Sequence, residues 1–125
     1  MLIHHGQINP ATMSPSSSWG LTIEGGAITW RSALGISADG YTLYYVAGPH
    51  LDASTLAKAM AQTGAVEALQ LDINYTFVHF TAVHNNGSSL VAEPLLNEMT
   101  QKVDRYLKTS TNDFFYVTLA VQPSQ

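Results

Sequence analysis

Between residues 29 and 48 the chain alternates: in TWRSALGISADGYTLYYVAG, Trp30, Ser32, Leu34 and Ile36 fall on one face of an extended strand and Arg31, Ala33, Gly35 and Ser37 on the other. Asp39-Gly40 supplies the two residues that a tight hairpin turn favours. With 38 paired to 41, Leu34 lies opposite Tyr45, Ile36 opposite Leu43, and Arg31 opposite Gly48. The next segment, LDASTLAKAMAQTG, changes period. Leu56, Ala57, Met60 and Ala61 form one helical stripe, with Lys58 and Gln62 on the far side, Asp52 or Ser54 to cap the start and Gly64 to end the helix. A short apolar strand follows at 66–71.

Strand 41–47, helix 53–63 and strand 66–71 predict a β-α-β crossover with parallel strands, and such crossovers are right-handed in about 98% of cases. The exits of both strands then share one sheet edge, which gathers Gly48, Asp72 and, across the hairpin, Arg31. Beyond it, NYTFVHFTAVH predicts a strand, NNGSS a turn, Pro94 the first turn of a short helix running to about Lys102, and FFYVTLAV, 114–121, a final strand. The expected fold class is α+β or α/β: a mixed sheet with a hairpin, one β-α-β crossover and a further short helix packed on it. At 125 residues this fits a single domain, 1–125.

Composition narrows the function. Lys and Arg number 5 against 9 Asp and Glu, with no basic stripe, which speaks against nucleic acid as a partner. No apolar stretch approaches the ~20 residues of a membrane span, and MLIHHGQINP has neither the basic start nor the apolar core expected of a signal peptide. With no cysteine, thiolate metal sites and disulfides are excluded. The five histidines, His4, His5, His50, His79 and His84, have no HExxH spacing. Adjacent His4 and His5 on a strand would point to opposite faces, so no metal and no cofactor is expected.

Arg31 has small neighbours on its face, which leaves room for a planar guanidinium to take a phosphate or carboxylate with two bonds; the alternative is an Arg31–Asp72 pair across the sheet edge. Asp72 stands at a strand exit, where ligands of open α/β sheets usually bind, and could act as a general base, bind sugar hydroxyls, orient a cation or simply close the strand. Arg31 and Asp72 are the candidate catalytic residues, and Asn74, Thr76 and Gly48 the candidate substrate-binding positions.

At TWRSALGISADG, LAKAMAQTGAVEALQLDIN and DRYLKTSTNDFFYV the chain resembles the phosphodiester glycosidase family, bacterial exopolysaccharide-associated relatives of the enzyme that removes N-acetylglucosamine from a phosphodiester. The resemblance runs in order over nearly the whole chain. It implies a hydrolase-like domain acting on a sugar-1-phosphodiester, with a noncatalytic carbohydrate-binding or exopolysaccharide-assembly module, or an inactive fragment, as the alternative. It further implies that these residues form the carboxyl-terminal half of a domain about twice as long, extracytoplasmic in full-length form, so that a homo-oligomer or the missing half would cover the exposed surface. Arg31 matches the family arginine and Asp72 the aspartate of a Leu-Asp-Gly-Gly-Gly-Ser type loop. Here that loop reads Leu71-Asp72-Ile73-Asn74-Tyr75-Thr76, so the glycines that permit positive φ are replaced.

Overall fold

The computed structural model describes residues 1–14, 17–109 and 113–118. They divide into two compact units, Met1–Phe80 and Thr81–Gln125. The first holds a five-stranded sheet of order β2-β1-β5-β3-β4, built from β1 (Ile3–His4), β2 (Gln7–Ile8), β3 (Thr29–Ile36), β4 (Leu43–Leu51) and β5 (Glu67–Ile73). One helix, α1 (Ala53–Gln62), links β4 to β5. Every neighbouring pair in the sheet is antiparallel. Because β4 and β5 flank β3 and both oppose it, they run parallel to each other. The class is α+β.

The hairpin forms in the expected register, with Leu34 opposite Tyr45, Ile36 opposite Leu43 and Arg31 opposite Gly48. Its turn is fixed by Asp39, whose Oδ1 accepts from Ser37 Oγ at 2.6 Å and from Tyr41 N at 3.1 Å, while Gly40 takes φ +76°. Those bonds, Ser37 first, hold the Asp39 carboxyl below its ordinary range. Helix α1 starts where Asp52 Oδ1 accepts from Thr55 N at 2.7 Å and stops before Gly64 at φ +86°.

The stripe Leu56, Ala57 and Met60 is buried against Leu2, Ile3, Ala33, Ala65 and Ala68, and burial of a Leu or Met side chain stabilises by about 1.5–3 kcal/mol. The small residues Ala33 and Gly35 further along the Arg31 face have their explanation here, for they admit the helix. A Cβ at Gly35 would stand 2.7 Å from Met60 Sδ, 2.9 Å from Ala65 Cβ and 3.1 Å from the Glu67 carbonyl oxygen. Around Gly35 the small-residue face is therefore filled by α1.

In the second unit, β6 (Thr81–Asn85) pairs antiparallel with β7 (Leu90–Pro94). Asn86 Oδ1 accepts from Ser88 N and Ser89 N, which builds the expected turn at NNGSS. Three expectations shift. The strand predicted across 74–84 begins only at Thr81, because Asn74 takes a left-handed conformation and starts a turn. Pro94 ends β7 instead of opening a helix, a place where its missing N–H costs nothing, and helical geometry there shrinks to 3₁₀ turns at Asn97–Met99 and Arg105–Leu107. Residues 114–118 carry no strand, and 119–121 of that expected element lie outside the described residues. Among the described residues no helix is long and apolar enough to cross a membrane.

Candidate functional site

Arg31 lies between two irregularities. On β4 the register advances from Gly48 to Leu51 while β3 moves from Arg31 to Thr29, and on β5 it advances from Gln70 to Ile73 while β3 moves from Ala33 to Arg31. Each flanking strand thus carries an extra residue next to the same arginine. Bulges bend a strand and re-aim side chains, and they are over-represented beside active sites.

Arg31 is 2% exposed. Its Nε donates to Leu51 O at 3.0 Å, Nη1 to Trp19 O at 2.9 Å and to Gln70 Oε1 at 2.8 Å, and Nη2 to Ala27 O at 2.9 Å. Gln70 Nε2 also donates to Trp19 O at 3.0 Å. Arg31 therefore ties the loop between β2 and β3 to the ends of β4 and β5. Burial pulls its pKa below the ordinary guanidinium value, and the Asp52 carboxylate opposes that shift. The Asp52 carboxyl is itself held below its usual range, first by the Thr55 amide and further by the positive charges of Arg31 and Lys58, with partial burial acting against them. Both groups are charged at neutral pH.

Arg31 and Asp52 share a cavity of about 370 Å³, whose wall also includes Trp19, Thr22, Ser54 and Gly20. An open hollow with one buried cation, one carboxylate and several hydroxyls suits a polar, anion-bearing ligand of modest size.

The other candidates fall around this end of the sheet. Arg31 pairs with Ile73, so Asp72 sits one residue away from the arginine's own rung, at the β5 bulge. Its side chain is exposed and its carbonyl accepts from Ser32 Oγ at 3.0 Å. Gly48 faces Arg31 across the hairpin, and a Cβ there would meet Leu51 Cδ1 at an ordinary 3.6 Å. Thr76 is exposed, and its carbonyl oxygen lies 3.2 Å from His79 Nε2.

Asn74 is 7% exposed and occupied by the fold. Its Oδ1 accepts from Ile23 N at 3.0 Å and Thr29 Oγ1 at 3.3 Å, and its Nδ2 donates to Leu21 O at 3.2 Å. At φ +73° it takes the left-handed conformation that Asn tolerates better than Ile or Tyr, so a loop stripped of glycine still turns. Trp30 and Tyr75 meet edge to face, with centroids 5.9 Å apart and planes at 62°.

Three residues at this site escaped the sequence reading in their present roles. Asp52 was expected as a cap but not as the charge beside Arg31, and nothing local marks Trp19. Gln70 had a signal, since it shares the parity of buried Ala68 and a polar group on a core-facing position calls for a partner. Comparisons with models of protein families, with curated proteins and with solved structures find no match.

Proposed function

We propose that the chain is a hydrolase-like domain that acts on a sugar-1-phosphodiester at the bulged end of the sheet. The observation that carries this reading is the pair of bulges flanking one buried arginine, whose charge forms part of a cavity wall beside a carboxylate and hydroxyls. In this reading Arg31 supplies the positive potential for the diester phosphate. With most of its N–H groups already bonded, it acts as a fixed charge in a low-dielectric wall more than as a fork. Asp72 serves as general acid or base, and Asp52, held ionised, accepts sugar hydroxyls or orients water. Glycoside hydrolysis ordinarily draws on two carboxyl groups; Asp52 lines the cavity, and Asp72 stands beside the Arg31 rung on β5 without lining it. Asn74 holds the loop in place, Gly48 leaves room opposite the arginine, and Thr76 offers a hydroxyl at the loop's far end.

The test is release of free sugar, with nitrophenyl phosphate as the other product, from a nitrophenyl sugar-1-phosphodiester, or of N-acetylglucosamine and UDP from UDP-N-acetylglucosamine. Asp72→Asn is expected to lower kcat by about 10²–10⁴, the usual contribution of a general acid or base. Unchanged turnover in Asp72→Asn and Asp52→Asn together would remove the proposed roles.

One observation favours a noncatalytic carbohydrate-binding module as a second reading. The Trp30–Tyr75 pair, with Tyr75 44% exposed next to Asn74, offers a ring edge and face on which a sugar can stack. Saturable quenching of tryptophan fluorescence by glycans, without product, would select it.

A further inference from the structure

Far along the sheet from Arg31, the first hairpin brings two imidazoles onto one carboxylate. We propose that His4, His5 and Glu67 form a binding site for a transition-metal dication of the zinc class, with its remaining coordination position open to solvent. His4 Nδ1 lies 2.9 Å from Glu67 Oε2 and His5 Nδ1 lies 3.3 Å from Glu67 Oε1. The three potential ligand atoms all fall within 4.8 Å of one another. Zinc bonds of about 2.0–2.1 Å in a tetrahedron separate ligand atoms by about 3.3 Å, so small side-chain rotations close this set around one ion.

The backbone explains why two adjacent histidines converge, against the sequence expectation that they point apart. His4 ends β1, but His5 has already left the strand: it takes φ +49° and Gly6 φ +76°, a two-residue turn that returns the chain to pair His4 with Gln7. The alternation of a strand no longer applies, and the rings lie 3.9 Å apart at 38°. Ile3 pairs with Ala68, which places Glu67 opposite His4. Two further bonds hold the turn against β5, Gly6 N to Val66 O at 2.8 Å and His5 N to Glu67 Oε1 at 2.9 Å. The ligands thus come from backbone already fixed by pairing, and the amide bond to the carboxylate supplies the outer support that metal ligands ordinarily need.

Two nitrogens and one oxygen suit Zn²⁺, Ni²⁺ and Cu²⁺ and do not suit Mg²⁺ or Ca²⁺. Bound metal would clip the β1–β2 hairpin to β5.

Titration calorimetry of the untagged full chain with ZnCl₂, NiCl₂ and MgCl₂ tests this. The expected result is one saturable Zn²⁺ site per chain, a tighter Ni²⁺ site and no Mg²⁺ binding. His4→Gln, His5→Gln and Glu67→Gln should each weaken Zn²⁺ at least tenfold with unchanged far-ultraviolet circular dichroism, while His84→Gln leaves affinity intact. With Cu²⁺, the paramagnetic resonance spectrum should show coupling to two nitrogens. Absence of saturable Zn²⁺ binding, or binding that survives His4→Gln and Glu67→Gln, overturns the proposal.

Discussion

The unit Met1–Phe80 and the unit Thr81–Gln125 solve the same problem with different means. In the first, side chains reach across the fold to tie loops onto a sheet: Arg31 binds three carbonyls and Gln70, Asn74 binds the 21–29 loop, and α1 seals a core of small and aliphatic residues. In the second, a two-stranded sheet carries exposed Val83 and Leu90, and the side-chain hydrogen bonds of its turn are local ones to Asn85 and Asn86. Two strands alone supply little pairing to hold such a sheet. Long-range polar ties hold a ligand site rigid, and among the described residues they gather in the first unit.

The contrast should appear in stability, and the largest effect belongs to Arg31. Arg31→Ala takes the donor from the Leu51 and Ala27 carbonyls and from Gln70 Oε1 and should cost about 3–5 kcal/mol, read by urea unfolding followed through tryptophan fluorescence. Leu56→Ala, which opens a cavity under the sheet, should cost about 3 kcal/mol by the same measurement. Asn74→Ala should cost about 1–3 kcal/mol through the Ile23 amide, the Thr29 hydroxyl and the Leu21 carbonyl that bond its side chain.

Smaller again is the cap. Asp52→Ala should cost about 1 kcal/mol, while Asp52→Asn keeps the capping oxygen and loses the charge. Because the folded carboxyl of Asp52 titrates below its unfolded value of about 3.9, its charge contributes stability above that pH, and the contribution disappears as pH falls through the folded value. Asp52→Asn should therefore flatten the acid limb of a stability-against-pH curve. Smallest is Leu90→Ala in the second unit, expected within about 0.5 kcal/mol of the parent. A loss there as large as that of Leu56→Ala would erase the distinction between the units.

What could be read from the chain follows the same division. The 29–48 hairpin and α1 were legible because long alternation, an Asp-Gly turn and a helical stripe with both ends marked all agree. The end of β5 was half legible. Register arithmetic placed Arg31 opposite Gly48, but two bulges at Arg31 have no local signature, and only tertiary pairing reveals that Asp52, Trp19 and Gln70 surround it. The His4–His5 convergence was hidden because a positive φ on His5 reverses the strand rule one residue earlier than the sequence suggests. In 74–102, short apolar runs fit strand and helix equally, so pairing between β6 and β7, not propensity, decided that Pro94 closes a strand.

The most direct test of the functional account is turnover of a sugar-1-phosphodiester by the parent chain and by Asp72→Asn, at equal folded concentration. The account predicts product from the parent and at least a hundredfold less from the variant. No product from the parent, or equal rates from both, would contradict it.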